Sequence, residues 1–396
     1  MNLLKNINIE GKRVLIRVDY NVPVSEGKVV NNFRITQAIP TIEYCLSQNC
    51  SIVLMSHLGR PKGIANPEYS LKPVQLEMET LLGREVLFSD DCTSQRSIST
   101  SNKLNPGEIH LLENLRFHKG ETGNSDKFSA QLAQHGDVYI NDAFGTAHRA
   151  HASNVGVVNH FTTCSSGLLL EKERKYLSGT IESPNHPFVV VLGGSKVSGK
   201  IELISHLMSF ADTFIIGGAM AYTFLKVQGK NVGASLVDEE NITIAENILN
   251  EAKLKNIKII LPLDSVVSKE ICENDDWRIS NFDDMTDMEL GVDIGPESAA
   301  LFHDIIAQSE TILWNGPMGV FESPSFSTGT HSVASSISDR TRSGVITIVG
   351  GGDSATAVES FNLMSGFSHV STGGGASLEL LSGKYLPAFK ALDEHV

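Results

Sequence analysis

At 396 residues the chain is longer than one hydrophobic core comfortably serves, so two domains are expected; its 41% hydrophobic and 20% charged content is that of an ordinary globular protein. A formal net charge of -14 argues against nucleic acid and anionic membrane surfaces as partners, because such phosphate-rich targets recruit basic faces. Lys5, Glu10, Lys12, Arg13 and Arg17 interrupt the opening residues where a secretory leader needs an apolar stretch, and no apolar run approaches the ~18 residues of a spanning helix, so a cytoplasmic location is expected.

Short, continuous apolar runs alternate with helical stretches from one end to the other. In the first half, residues 13–18, 51–55, 85–88, 109–112 and 137–140 read as strands buried on both faces. Residues 168–176 (LLLEKERKY) read as one helix, followed by a breaker-rich stretch at 178–187, and mark a connector and hinge. In the second half, 188–192, 213–216, 257–261, 311–314, 345–349 and 370–371 read as strands, while 201–210 and 242–254 carry helical spacing. The closing stretch, 378–391, also reads as a helix. The expected fold class is α/β: two doubly wound, parallel-sheet (Rossmann-like) domains joined by a hinge helix.

The five cysteines (Cys45, Cys50, Cys92, Cys164 and Cys272) are odd in number and lack C-x-x-C spacing, which disfavours a disulfide framework and a thiolate zinc site. Of the thirteen histidines only His148 and His151 share a helical spacing, and isolated histidine is the better reading of both. Nine of the twelve arginines lie at or before Arg174, whereas twenty-three of the thirty-four glycines lie at or after Gly167. Guanidinium forks and glycine-exposed amides both hold anions, so the two halves are expected to do so by different means.

In an open parallel sheet, ligands bind beyond the carboxyl ends of the strands. In the first half those ends read RVDYNVP (17–23), SHLGRP (56–61), ENLRFHKGE (113–121) and NDAFGTAHRAH (141–151). They supply Asp19, Asn21, His57, Arg60, Arg116 and Arg149, with Arg34 shortly after the first strand. A surface ion pair accounts for any one of these, but recurrence at four successive strand ends points to an anionic ligand. In the second half the ends read LGGSKVSGK (192–200), IIGGAMAY (215–222), WNGPMGVFE (314–322), GGGDSATA (350–357) and STGGGAS (371–377). Glycine-rich turns entering helices present N–H groups and the positive helix end to phosphates, and five in one domain favour a polyphosphate. Asp353 suits either a magnesium anchor or a plain helix N-cap.

Two partial motifs fail on inspection. GSKVSGK (194–200) fits a Walker A loop but is followed by Ile201, which has no hydroxyl for magnesium. GGGDSA (350–355) fits a loose dinucleotide fingerprint, yet no ribose-binding acid stands about twenty residues on. A nucleotide-hydrolysing switch and a dehydrogenase are thereby disfavoured.

Taken together, RVDYNVP, SHLGRP, ENLRFHKGE, WNGPMGVFE and HVSTGGGASLELL (369–381) closely resemble the phosphoglycerate kinase family, in the family's order and over nearly the whole chain. The resemblance implies reversible phosphoryl transfer between 1,3-bisphosphoglycerate and MgADP, giving 3-phosphoglycerate and MgATP. It implies that 3-phosphoglycerate is held by Asp19, Asn21, Arg34, His57, Arg60, Arg116 and Arg149. It assigns the nucleotide to Gly194, Lys196, Lys200, Gly291, Asn315, Glu322, Gly351, Gly352, Asp353 and Ser354, with magnesium on Asp353 and the phosphates. Arg34, Lys196, Lys200, Gly352 and Gly375 would act at the transfer itself. The implied organisation is a substrate domain over 1–167, a hinge over 168–180, a nucleotide domain over 181–375 and a returning segment over 376–396, in a monomer. Departures from common family sequences are Tyr20 where Phe is frequent, Gly199 beside Lys200, Ser354 for Thr and Ser382 for Glu.

Overall fold

The computed structural model describes residues 1–271 and 276–395; Cys272 lies outside them. Contacts divide the chain into two units, Met1–Lys175 with Tyr385–Val396, and Tyr176–Lys384.

The first unit opens with strand β1 (Arg13–Val18), a small antiparallel hairpin of β2 (Val24–Ser25) and β3 (Lys28–Val29), then helix α1 (Phe33–Ser47) and β4 (Ser51–Met55). It continues through α2 (Lys72–Leu82), β5 (Val86–Ser89), α3 (Gln95–Asn102), β6 (Ile109–Leu112), α4 (Lys119–Thr122), α5 (Asp126–Ala133), β7 (Val138–Asp142), β8 (Cys164–Ser166) and α6 (Leu168–Arg174). The sheet has the order β5-β6-β4-β1-β7-β8, and every pairing in it is parallel. Val14, Ile16 and Val18 of β1 are buried with Ile52, Leu54 and Ile140 of its neighbours, because helices cover the sheet. The chain builds outward from β1 on one side, then crosses to β7 on the other, so the crevice of a doubly wound sheet lies beyond the ends of β1 and β7.

The second unit contains α7 (Thr180–Glu182), β9 (Phe188–Leu192), α8 (Ile201–Leu207), β10 (Thr213–Ile216), α9 (Met220–Val227), α10 (Ile242–Leu254) and β11 (Lys258–Ile260). A side layer follows, β12 (Asp264–Ser268), β13 (Trp277–Asn281) and β14 (Leu290–Ile294), which pair antiparallel in the order β13-β12-β14. Then come α11 (Pro296–Ala307), β15 (Thr311–Asn315), α12 (Thr328–Arg342), β16 (Ile346–Val349), α13 (Gly352–Ser360), β17 (His369–Val370) and α14 (Gly375–Leu381). Its main sheet, β11-β10-β9-β15-β16-β17, is again wholly parallel, with the switch between β9 and β15.

Two expectations change. The antiparallel layer was not legible, since DSVVS, WRISN and LGVDI are short and rich in polar residues. The closing helix expected over 378–391 is two helices, α14 and α15 (Pro387–Glu394). Gly383, at φ 79°, turns the chain, and Pro387 starts the second helix at a position where a missing N–H costs nothing. The break also sets the assignment. α14 lies in the second unit, and Tyr385–Val396 in the first.

Candidate active site

In the first unit, the strand ends converge on His57. Asp19, just past β1, accepts a hydrogen bond from Arg34 Nη1 at 3.1 Å, and the same nitrogen donates to the Asn21 carbonyl at 3.1 Å. The Asn21 side chain accepts from the Gly59 amide at 2.9 Å, which ties the end of β1 to the turn after β4. Arg17, wholly buried, donates to His57 Nδ1 at 3.2 Å. Burial pushes the His57 ring well below its usual range, and Arg17, Arg116, Arg149 and Arg34 all add to that. Four guanidinium groups are therefore close enough to feel one imidazole.

Beside them, Arg60, Lys62, Gly63, Arg116, Lys119, Thr122, Arg149 and His151 line a cavity of about 510 Å³. Arg116 donates one bond to the Gly59 carbonyl at 2.7 Å, while its Nε and Nη2, also buried, have no partner among the described residues. Burial first, then Arg149 and Arg17, lower its pKa to about 10. Buried donors without acceptors in a like-charged cluster are costly, and an oxyanion ligand would remove that cost. All seven predicted residues of this half thus lie together. Sequence reasoning missed Arg17, Lys62, Lys119 and His151, although Arg17, Lys119 and His151 sit inside motifs already singled out.

In the second unit, Gly194, Gly291, Glu322 and Asp353 line one pocket of about 230 Å³, with Gly218, Tyr222, Pro317, Met318 and Phe321 among its other walls. Gly194 has φ 104° and open space where a side chain would stand, as a backbone meant to meet a ligand requires. Gly316 answers a different need, since a Cβ there would strike the Gly193 carbonyl where the ends of β9 and β15 press together. Gly291 is likewise set by packing, because a Cβ would strike the Tyr222 hydroxyl.

Lys200 Nζ donates to the Asn315 carbonyl at 3.3 Å. Burial lowers its pKa to about 8, and Asp353 opposes that shift. The Asn315 side-chain nitrogen is buried without a partner and lies against Gly350 and Gly351 at the mouth of α13. Ser354 accepts from the Gly316 amide at 2.6 Å, which binds α13 to the end of β15. Asp353 is no N-cap: Gly351 holds that position, and the exposed Asp353 carboxylate stands in the first turn. One free carboxylate with an ammonium, an orphaned amide donor and a helix N-terminus fits a magnesium polyphosphate, whose own oxygens complete the metal's shell.

Of the predicted residues, Lys196, Lys200, Asn315, Gly351, Gly352, Ser354 and Gly375 are not among this pocket's walls. Lys196 is exposed and adds to the lowering of the Asp238 pKa, and the Asp238 carboxylate accepts from the Ser198 amide at 3.1 Å. Gly352 and Gly375 are exposed first residues of α13 and α14. A Cβ at Gly199 would meet nothing within 4 Å, and Lys200 beside it is anchored on Asn315.

Known proteins resemble the chain over nearly all its length. The sequence profile of the family described as phosphoglycerate kinase matches residues 4–384. A phosphoglycerate kinase of Finegoldia magna is 49% identical over 393 residues, spanning 99% of this chain and 98% of its own. One of Chlorobium chlorochromatii is 48% identical over 391 residues, spanning 98% of each. The solved structure of phosphoglycerate kinase from Coxiella burnetii superposes with a TM-score of 0.89 at 40% identity, covering 99% of both chains.

Proposed function

The chain belongs to the phosphoglycerate kinase family, and on that footing we propose that its first unit holds 3-phosphoglycerate and its second the magnesium nucleotide. It is a glycolytic enzyme that transfers a phosphoryl group reversibly between 1,3-bisphosphoglycerate and ADP, giving 3-phosphoglycerate and ATP. The observation that carries the assignment of sites is the pair of orphaned donors, Arg116 in one unit and Asn315 in the other, each buried among groups suited to an anion.

Asp19 and Asn21 hold Arg34 by its guanidinium; Arg60, Arg116 and Arg149 take the substrate phosphate. The acceptor is a carboxylate, ionised at neutral pH with a reference pKa near ~4, so the protein needs no general base. Its work is positioning and charge stabilisation. Arg34, Lys196 and Lys200 neutralise the migrating group, with the N–H groups at Gly352 and Gly375. Gly194, Gly291, Asn315, Glu322, Gly351, Gly352 and Ser354 hold the nucleotide. Magnesium, held by Asp353 and the phosphates, supplies further charge neutralisation. Since each unit carries one reactant, transfer requires closure about α6 and the turn after it, which also excludes water. The chain acts as a cytoplasmic monomer.

The decisive experiment mixes MgATP and 3-phosphoglycerate with hydroxylamine, which traps an acyl phosphate as it forms. Hydroxamate should appear only when both substrates are present. Nucleotide hydrolysis that ignores 3-phosphoglycerate would instead mark a plain NTPase.

A further inference from the structure

Behind the first site runs a chain of wholly buried groups that the reaction does not itself require. Glu121, on α4, accepts from the Ser153 hydroxyl at 2.7 Å and from the Ser153 amide at 3.0 Å. The Ser153 oxygen in turn accepts from Arg17 Nε at 2.8 Å. Arg17 gives one further bond to the Val18 carbonyl and another to His57 Nδ1 at 3.2 Å. Every direction in this chain is fixed. A guanidinium only donates, so His57 Nδ1 must offer its lone pair and the ring proton must sit on Nε2. The approach of the same Nδ1 to Asp19 Oδ1, at 3.7 Å, then contains no proton and is no ion pair.

We propose that Glu121, acting through Ser153 and Arg17, is a positioning residue that holds His57 as the neutral Nε2–H tautomer. On the reading that the first unit binds 3-phosphoglycerate, His57 then meets that anion as a hydrogen-bond donor, not as a cation. The charges facing the ring explain why. Arg17 from β1, Arg34 from α1, Arg116 from the turn after β6 and Arg149 from beyond β7 already surround it, with Asp19 the carboxylate among them. A fifth positive charge would repel these before any substrate arrived, whereas a neutral donor adds direction without repulsion. Glu121 compensates the most buried of the guanidiniums and thereby keeps Arg17 at its post.

The test uses the full chain labelled with ¹⁵N-histidine, together with Ser153→Ala, Glu121→Gln and the conservative Ser153→Thr. In the ligand-free wild type, His57 should show the Nε2–H pattern and stay untitrated between pH 5.5 and 8. In Ser153→Ala and Glu121→Gln the pattern should become mixed, the KM for 3-phosphoglycerate should rise about tenfold and the KM for MgATP should hold. Ser153→Thr should restore both readouts. An Nδ1–H pattern in the wild type, or variants in which both KM values rise together, overturns the proposal. The tautomer is read without substrate, so its failure is separable from failure of the hydroxylamine assay.

Discussion

Tyr20 shows how one atom outside the chemistry sets a local cost. Where Phe is frequent in the family, this chain has Tyr20, whose buried hydroxyl has no hydrogen-bond partner among the described residues. Burial and the nearby Asp142 hold its pKa far above the usual phenol range. An unmet buried hydroxyl costs on the order of 1–3 kcal/mol, so Tyr20→Phe should raise stability by about 1 kcal/mol in urea denaturation. A less stable Phe variant would mean that the oxygen has a favourable contact. Lys200 gives a second expectation at this scale. With its pKa lowered to about 8, part of its charge is gone at pH 8 to 9 in the free protein. A bound triphosphate favours the charged form, so MgATP binding should take up a proton at pH 8.5 and the KM for MgATP should climb above pH 8. Titration calorimetry in buffers of different ionisation enthalpy measures that uptake, and none would place Lys200 away from the phosphates.

At the scale of elements, α3 rests on a second buried network with a fixed proton order. His135 Nε2 must donate to the Cys92 carbonyl, at 3.0 Å, so its Nδ1 accepts from Ser101, on α3, at 2.6 Å. The Ser101 oxygen then accepts from His110 Nδ1 at 2.9 Å, and His110 Nε2 accepts from Ser89 at 2.7 Å. With both rings neutral, this order gives every ring nitrogen a partner. Burial lowers both pKa values to about 4; His135 adds to the shift of His110, while for His135 the bond to the Cys92 carbonyl and Asp91 oppose the shift and Arg13 adds to it. Because these folded values lie below the ordinary ~6.5, the unfolded chain binds more protons between, and stability falls as pH drops from about 6.5 to 4. Ser101→Ala should cost about 1–3 kcal/mol at pH 7. NMR titration should find both rings neutral down to about pH 5, and a midpoint near 6.5 for either would refute the network. No periodicity announces such a network, since its members are isolated polar residues on β5, α3, β6 and the turn before β7.

For the molecule as a whole, the last twelve residues decide where the first unit ends. Phe389 stacks on Phe144 with centroids 6.3 Å apart, Arg174 lies over its ring at 5.5 Å, and the Ala388 amide donates to the Ala147 carbonyl at 3.1 Å. Phe389→Ala should therefore cost about 3–5 kcal/mol, all of it in the first unit. Calorimetry should show the transition stabilised by 3-phosphoglycerate moving down while the one stabilised by MgATP stays. Equal loss in both would make the helix a shared element.

The sequence by itself determined the two parallel sheets, because strands such as Phe188–Leu192 are apolar without alternation, and burial on both faces produces that pattern. It also showed arginines and glycines recurring at the strand ends, the pattern on which the proposed anion sites rest. Tertiary structure alone decided the antiparallel layer that carries Gly291, and the chain from Glu121 to His57. Strand burial is a local property written in composition, whereas a hydrogen bond between residues 40 or 136 positions apart exists only once the backbone has brought them together.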